Sequence, residues 1–347
     1  MSDPNRLGGQ EEPAVRRLVD ALSEPAVIVR DGFVRVANGA ARSLLGAAAE
    51  GADVRLAFRH PAAVERLMGE ADPEGDVELV GLGEVDRRWR MQVRSLGDGS
   101  LLVRLTDRSE ESAAEQMRVN FVVNASHELR TPLATLVGIA ETLHERAAEV
   151  DEPTRARFIA IVHDEAQRMK RLVEDLISLS RIEAERFTLP KEQLPLPELV
   201  EQARCNLRRT ADEAGSAIEI EAEESLPPVG GDRAQLLQMI ENLISNAVRY
   251  GRPETRVRVA LSRAGEMLRL IVADEGPGIP AEHIPRLTER FYRVDASRSR
   301  SLGGTGLGLA IVKHIVERHR GRLTIRSVVG EGTSVEVLLP VATQGPS

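Results

Sequence analysis

The strongest constraint on the fold is a run of apolar residues at helical spacing in the middle of the chain. Between residues 109 and 187 they recur every three or four positions, which is the spacing of one helix face. A polar break at Glu149–Pro153 divides the pattern, and Asp151 is a candidate cap for the helix that follows. The pattern predicts two long helices joined by a short loop. The apolar positions are Met117, Phe121, Ala125, Leu129, Leu133, Leu136, Ala140 and Leu143 in the first helix, and Phe158, Val162, Met169, Leu172, Val173, Leu176 and Leu179 in the second.

Two helices bury little apolar surface by themselves, so this helical hairpin needs a partner. A second copy is the natural partner, because most oligomers are symmetric assemblies of identical chains. We therefore expect a homodimer in which two antiparallel helical hairpins form a dimeric four-helix bundle.

The regions on either side of the hairpin have mixed α and β patterns. Residues 19–108 contain five strand-like runs, and Asp31-Gly32 forms the turn of a hairpin signature between the first two. Residues 188–343 contain five more, with helices predicted at 232–249 and 306–319 and no regular β-α-β alternation, which favours an α/β sandwich. The chain is therefore predicted to be multidomain α+β, with a polar lead at 1–18, an α/β domain at 19–108, the hairpin at 109–187, a second α/β domain at 188–343 and a tail at 344–347.

The composition narrows the classes of function. The net charge is −8 and aromatic residues make up 3% of the chain, which argues against nucleic acid as a direct partner. Cys205 is the one cysteine, so an internal disulfide is excluded. No apolar run approaches the ~20 residues that span a bilayer, and Met1–Glu12 carries no apolar signal core. We expect a cytoplasmic protein without a transmembrane segment, in which a membrane protein or an adaptor relays any external signal.

The first helix carries a candidate nucleophile. Its residues 124–133 read NASHELRTPL, and His127 points away from the apolar face. A neutral imidazole can attack phosphorus, and the neighbouring Glu128 can accept the proton that the ring loses. Arg130 can hold a phosphate oxygen. Pro132 removes one helical hydrogen bond and can bend the axis beside the nucleophile.

The segment NASHELRTPL resembles the phosphoacceptor box of sensor histidine kinases. This resemblance implies that ATP phosphorylates His127 and that the phosphoryl group passes to an aspartate of a response regulator. Glu128 and Thr131 also match the pattern of kinases that dephosphorylate their regulator, where Thr131 would place the water.

The predicted helix at 232–249 carries a pair of asparagines. Asn242 and Asn246 are four residues apart and therefore share a face. Asparagine is a poor residue for a helix interior, so two on one face suggest a task beyond folding. Amide oxygens can hold Mg²⁺ beside a polyphosphate without adding negative charge.

Two glycine-containing segments follow in the last domain. Asp274 ends a predicted strand and precedes Gly276 and Gly278, so its carboxylate could accept a hydrogen bond from an adenine amino group while the glycines let the backbone approach the base. Further on, residues 303–308 read GGTGLG before an apolar helix, and such a turn presents backbone N–H groups to phosphate.

These segments, with ERFYRVD at 289–295, resemble the nucleotide-binding boxes of the Bergerat-type ATPase domain of the same kinases. The resemblance implies ATP and Mg²⁺ as cofactors, Asn246 as the metal ligand, Arg293 at the terminal phosphate and residues 296–302 as a lid. Arg249 stands where many relatives carry lysine. The implied cofactor-binding residues are Asn242, Asn246, Arg249, Tyr250, Asp274, Gly276, Gly278, Ile279, Arg293, Gly304, Thr305, Gly306, Leu307 and Gly308.

The first α/β domain resembles a PAS sensor domain, through DGFVRVANGAARSLLG near its start and LLVRLTDRSEE at its end. Another small α/β domain would fit the same strands, and its ligand could be a small metabolite, a protein surface or none. A PAS-like domain followed by NASHELRTPLATLVGIAETL most resembles phosphate-regulon sensor kinases. The alternative hypotheses for the function are a Bergerat-fold ATPase without a phosphoacceptor and a PAS-based dimeric adaptor without phosphotransfer.

Overall fold

The computed structural model describes residues 12–68, 75–84, 86–145, 150–185, 188–190, 192–295 and 304–342. The expected lid at 296–302, the tail at 344–347 and the first part of the polar lead lie outside the described residues. The chain divides into two compact units, Met1–Val122 and Val123–Ser347.

The first unit is built on a five-stranded antiparallel sheet in the order β2-β1-β5-β4-β3. All five strands expected from the sequence are present. Asp31 and Gly32 both have positive φ, at 52° and 76°, which is the geometry of the two-residue hairpin turn that the sequence predicts. The elements are α1 (Glu12–Asp20), β1 (Ala26–Arg30), β2 (Phe33–Ala37), α2 (Gly39–Leu45), α3 (Val54–Phe58), α4 (Pro61–Met68), β3 (Gly75–Val80), β4 (Arg88–Ser95) and β5 (Ser100–Asp107).

A buried asparagine, Asn38, connects α1, β1 and α2 through side-chain hydrogen bonds. The Asn38 side chain accepts hydrogen bonds from the backbone N–H groups of Ala26 and Ala41, so it caps α2 and holds the start of β1. Its amide group also donates to the Val19 carbonyl at the end of α1 and to two carbonyls in the link between α1 and β1. Because these bonds use both ends of the amide, the buried polar group is well compensated.

The hairpin consists of α5 (Ser109–Glu145) and α6 (Glu152–Ala184). Asp151 caps α6 by accepting a hydrogen bond from the Thr154 N–H, as the sequence predicts. Much of the apolar stripe is not covered within one chain: Leu133 of α5 is 51% exposed and Ile177 of α6 is 50% exposed. No helix of the described residues is both long and apolar enough to span a membrane.

The remainder of the second unit is an α/β sandwich, as expected. Its sheet has the order β11-β12-β10-β9-β7, in which only the β7–β9 pair is parallel. Alternate residues of β10, such as Leu268 and Leu270, are fully buried, so one sheet face forms the core with the helices. The elements are β6 (Glu192–Leu194), α7 (Leu196–Glu213), β7 (Ala217–Ala222), β8 (Val229–Gly231), α8 (Arg233–Tyr250), β9 (Arg256–Ala264), β10 (Met267–Asp274), a 3₁₀ turn (Ala281–Arg286), α9 (Gly308–Arg318), β11 (Arg322–Val328) and β12 (Gly332–Pro340).

Helix α7 is absent from the sequence-based prediction, although its signal is present. Leu196, Leu199, Val200 and Ala203 are fully buried and have the spacing of a helix face. This face packs on α8, so α7 helps to fix the helix that carries both asparagines.

A buried histidine anchors the start of α8. His319 is 4% exposed, its Nδ1 lies 2.7 Å from the Ile315 carbonyl oxygen, and its Nε2 accepts from the Asp232 N–H at 3.1 Å. Asp232 in turn caps α8 through a bond from the Gln235 N–H. These contacts require a neutral ring with the proton on Nδ1, and burial, aided by the charge of Arg318, lowers the pKa of His319.

We predict that this histidine makes the second unit sensitive to acid. As the pH falls through about 6.5, the unfolded chain takes up a proton at this residue that the folded chain resists, so the free energy of unfolding decreases. His319→Gln should have a shallower dependence of unfolding on pH between about 5 and 7, measured by calorimetry. His163→Gln, at an exposed site, should keep the wild-type dependence. An unchanged slope in the His319 variant would contradict this assignment.

Candidate functional site

A cavity of about 320 Å³ opens in the second unit between the ends of α8 and β10, the glycine-rich turn before α9, and one side of α6. Apolar side chains, among them Val272, Ile279 and Ile325, form part of its wall. Most of the residues that the sequence implicates in nucleotide binding line it. These are Asn242, Asn246, Arg249, Tyr250, Asp274, Gly278, Ile279, Arg293, Gly304, Thr305, Gly306 and Gly308.

The two asparagines face the start of α9. Gly308 has no side chain, and a Cβ there would lie 3.4 Å from Asn242 Oδ1 and 3.8 Å from Asn246 Nδ2. Within the described part of the chain, the buried Nδ2 of Asn242 donates to no acceptor. Leaving such a donor unpaired costs about 1–3 kcal/mol, so this amide fits a ligand that brings an acceptor such as a phosphate oxygen.

Asp274 places a carboxylate in the same cavity at the end of β10. Its Oδ1 accepts from the Gly276 N–H at 2.8 Å and from the Thr333 N–H at 3.3 Å. Burial nevertheless raises the pKa of Asp274, because the two bonds only partly offset the lost solvation of the charge. A ligand amino group that donates to this carboxylate would relieve that cost.

The glycines after Asp274 are required by contacts within the protein. Gly278 has φ of 70°, and a Cβ there would lie 2.0 Å from the Val328 carbonyl oxygen. A Cβ at Gly276 would lie 2.6 Å from Asp274 Oδ1. Gly276 is not among the residues that line the cavity, and the absence of a side chain there leaves room for the Asp274 carboxylate. The predicted approach of a base to Gly276 and Gly278 stays a prediction.

The glycine-rich turn contacts the backbone of Phe291. Gly306 has φ of 74°, its carbonyl accepts from the Phe291 N–H at 2.8 Å, and a Cβ there would lie 2.9 Å from Phe291 Cα. The Leu307 side chain is fully buried in the core and is not among the residues that line the cavity. The expected contact of Leu307 with the cofactor stays a prediction. Helix α9 begins at the next residue, and Gly308 and Leu309 of its first turn line the cavity. The first N–H groups of a helix have no partner within the helix and are free to meet an acceptor.

Two residues of α6 complete the wall, and sequence reasoning missed both. Arg171 and Asp175 line the cavity, and Asp175 Oδ2 accepts from the Thr305 hydroxyl at 2.7 Å. Burial raises the pKa of Asp175. Burial and then the charge of Arg171 lower the pKa of Arg249. The contacts join residues far apart in the chain, so local spacing offers no signal for them.

The four predicted catalytic residues lie on α5 outside the cavity. His127 and Arg130 are exposed, as the helical pattern predicts for His127. The Thr131 hydroxyl is 3.3 Å from the His127 carbonyl oxygen, a hydrogen bond along the helix that does not involve the imidazole. Glu128 Oε2 lies 3.1 Å from Nη2 of Arg168, a residue of α6 that no sequence pattern singles out.

Arg293 connects the cavity with the histidine helix. Its side chain is 7% exposed, it lines the cavity, and its Nη2 lies 3.0 Å from Glu128 Oε2. Among the described residues, its buried Nε has no hydrogen-bond partner. One guanidinium therefore touches both the predicted nucleotide site and the carboxylate beside the predicted nucleophile.

Two protein families match the chain. Residues 117–185 match the His Kinase A (phospho-acceptor) domain, and residues 231–343 match the histidine kinase-, DNA gyrase B- and HSP90-like ATPase domain.

Individual relatives agree with these matches. The phosphate regulon sensor protein PhoR of Pseudomonas aeruginosa is 33% identical over 92% of this chain and 74% of its own length. The sensor protein kinase WalK of Staphylococcus epidermidis is 33% identical over 90% of this chain, which spans about half of that relative (52%). The fold of histidine kinase ThkA, solved with response regulator protein TrrA, aligns with 93% of this chain and 97% of its own at a TM-score of 0.52 and 18% identity.

The chain therefore belongs to the sensor histidine kinases of two-component systems, which are ATP-dependent protein-histidine kinases.

We predict that Asp274→Asn weakens ATP binding about 10- to 100-fold. The asparagine oxygen can still accept from Gly276 and Thr333, but its NH₂ group would then face the adenine amino group, donor against donor. The measurement is the ATP dissociation constant by calorimetric titration. Glu275→Gln removes one charge from the exposed neighbouring residue and should bind like the wild type. Equal affinities in all three proteins would exclude an adenine contact at Asp274.

Proposed function

We propose that ATP binds in the cavity and phosphorylates His127, and that the contact of Arg293 with Glu128 couples the two events. Asp274 holds the adenine amino group, and Asn242, Arg249, Thr305 and the N–H groups at the start of α9 hold the phosphates. Tyr250 and the glycines at 278, 304, 306 and 308 shape the space.

Magnesium fits this site through an amide rather than a carboxylate cluster. The described ranges contain no group of three or more His, Cys, Asp or Glu side chains that could hold a metal ion. Asn246 is the proposed protein ligand, with nucleotide phosphates supplying the charge. When bound, Mg²⁺ neutralises negative charge on the phosphates.

The single observation that carries the mechanism is the position of Arg293 between the cavity and Glu128. The terminal phosphate of ATP carries more negative charge than a carboxylate, so it replaces Glu128 as the partner of the Arg293 guanidinium. Glu128 is then available to hold one ring nitrogen of His127 while the other attacks the terminal phosphorus. A nitrogen–phosphorus bond forms, the bond to the bridging oxygen breaks, ADP leaves with the electron pair, and the ring proton passes to Glu128.

The exposed apolar residues of the hairpin support a homodimer. Val123, Leu133, Val137, Ile159, Val173 and Ile177 are each between 41% and 57% exposed. A second hairpin that covers these side chains would form the four-helix bundle.

We predict that the purified protein labels itself with γ-labelled ATP and Mg²⁺, and that the label is acid-labile and base-stable. His127→Gln should abolish the label because the nucleophile is lost. Glu128→Gln should reduce it at least about 100-fold while ATP binding remains, because proton removal is slowed. The same samples should sediment as dimers.

Label that persists in the His127 variant would contradict this site. Wild-type protein that binds ATP but never labels would instead favour a Bergerat-fold ATPase or a dimeric adaptor.

The proposed receiver of the phosphoryl group is an aspartate of a response regulator. The resemblance of the phosphoacceptor box supports this partner, and the relative ThkA was solved with a response regulator. We also propose that Thr131, exposed one turn after His127, places a water that dephosphorylates the regulator.

We predict that Thr131→Ala labels His127 like the wild type but removes phosphate from a phosphorylated regulator about tenfold more slowly. Receiver domains from the same organism, incubated with the labelled protein, identify the regulator by a base-labile label. Ser126→Ala, on the same helix, serves as the control. Equal rates of loss with both variants would exclude a role for Thr131.

We further propose that the first unit is a PAS-type sensor domain and that the pathway responds to phosphate. Two strands, short helices and three strands in one antiparallel sheet support the first point. The name of the P. aeruginosa relative supports the second. A level of phosphorylated His127 in cells that does not change on phosphate starvation would contradict the second point.

A further inference from the structure

The hairpin places a negative charge inside the predicted phosphate site. Asp175 projects from α6 into the cavity wall, and its carboxylate accepts the Thr305 hydroxyl at 2.7 Å. Thr305 belongs to the glycine-rich turn, and its oxygen also accepts from the Leu307 N–H at 3.3 Å. Asp175 therefore holds the turn that is proposed to bind phosphate.

Charges of both signs act on Asp175: Glu174 opposes its charged form, whereas two arginines favour it. Arg249 of α8 and Arg171 of α6 line the same cavity, and both favour the charged form of Asp175 electrostatically. Burial opposes that charge and raises the pKa of Asp175. The carboxylate thus acts as a counter-anion to the two arginines within a partly desolvated pocket.

A carboxylate and a polyphosphate compete for such a pocket. Two like charges several ångströms apart repel more strongly in a partly desolvated pocket than in water, because the effective dielectric constant there is lower. The nucleotide also needs the Thr305 hydroxyl, which the carboxylate already occupies. Hydrogen bonding and charge therefore oppose phosphate binding while α6 holds this position.

We propose that Asp175 is an affinity-setting residue of the nucleotide site, supplied by the hairpin, which competes with the nucleotide phosphates for Thr305 and the charge of Arg249. This inference rests on the proposed binding of ATP in the cavity.

The competition has a reciprocal consequence. If the docking of Asp175 weakens ATP binding by some factor, ATP binding must weaken the docking by the same factor. A signal that shifts α6 relative to the glycine-rich turn would thereby change ATP affinity without touching the cavity itself.

The test uses Asp175→Asn in the full chain. An asparagine oxygen can still accept the Thr305 hydroxyl, so the contact remains and the charge is removed. We expect ATP to bind about tenfold more tightly, which corresponds to about 1.4 kcal/mol. The gain in affinity should be smaller for ADP and absent for adenosine, because only the phosphates are repelled by the Asp175 charge. Calorimetric titration with the three ligands measures this series.

Two matched variants complete the test. Asp175→Glu keeps the charge and should bind ATP nearly as the wild type does. Glu174→Gln removes the same charge from the preceding residue, whose side chain is exposed and paired with Lys170. It should change ATP affinity less than about twofold because solvent screens that position.

The outcomes separate this inference from the proposed function. Wild-type protein that binds neither ATP nor ADP would overturn ATP binding itself. If the wild type binds ATP and Asp175→Asn binds it with equal or lower affinity, the role of Asp175 alone is overturned. An equal change for adenosine and ATP would show that the residue acts through packing rather than charge, and would also overturn it.

Discussion

The arrangement of the second unit depends on ion pairs and hydrogen bonds between the hairpin and the ATPase fold. Glu128 contacts Arg293, Asp175 contacts Thr305, Glu183 pairs with Arg290, and Glu185 lies 2.8 Å from Nη2 of Arg318. Arg293 and Arg318 are almost fully buried, so removing a carboxylate partner takes compensation away from a buried cation. Solvent screens part of that loss, because the side chains of Glu128 and Glu185 are 28% and 53% exposed. The contact is therefore specific, but another anion of suitable shape can take the place of a carboxylate.

That property suits a domain whose substrate is an anion. An interface made only of apolar side chains would resist separation regardless of what the cavity holds. Here two of the groups that hold the hairpin, Arg293 and Thr305, are also expected to meet phosphate, so substrate binding and release of the hairpin draw on the same side chains. The sheet and α8 supply a rigid base for this exchange, since α7, His319 and the Asp232 cap fix α8 independently of the hairpin.

Structural features were predictable from the sequence where their signals lie in adjacent residues or in a compact motif. The Asp31-Gly32 turn, the Asp151 cap and the two long helices follow from adjacent residues, and the nucleotide residues follow from compact motifs. Helix α7 had a readable pattern that was overlooked. The roles of Arg168, Arg171 and Asp175 could not be predicted from the sequence, because they depend on contacts between α6 and residues that are distant in the chain. Gly276 and Leu307 belong to a nucleotide motif yet serve the packing around the site, which a motif alone does not reveal.

The position of Arg168 bears on how easily the hairpin can move. Glu128 lies between two guanidinium groups, one on its own hairpin and one on the ATPase fold. When Arg293 departs, Arg168 remains as a resident counterion, so the carboxylate is never stranded without a positive neighbour. When the hairpin separates from the ATPase fold, Glu128 loses one of its two positively charged partners and is not left as an unpaired charge. This lowers the energetic barrier between the docked and undocked arrangements.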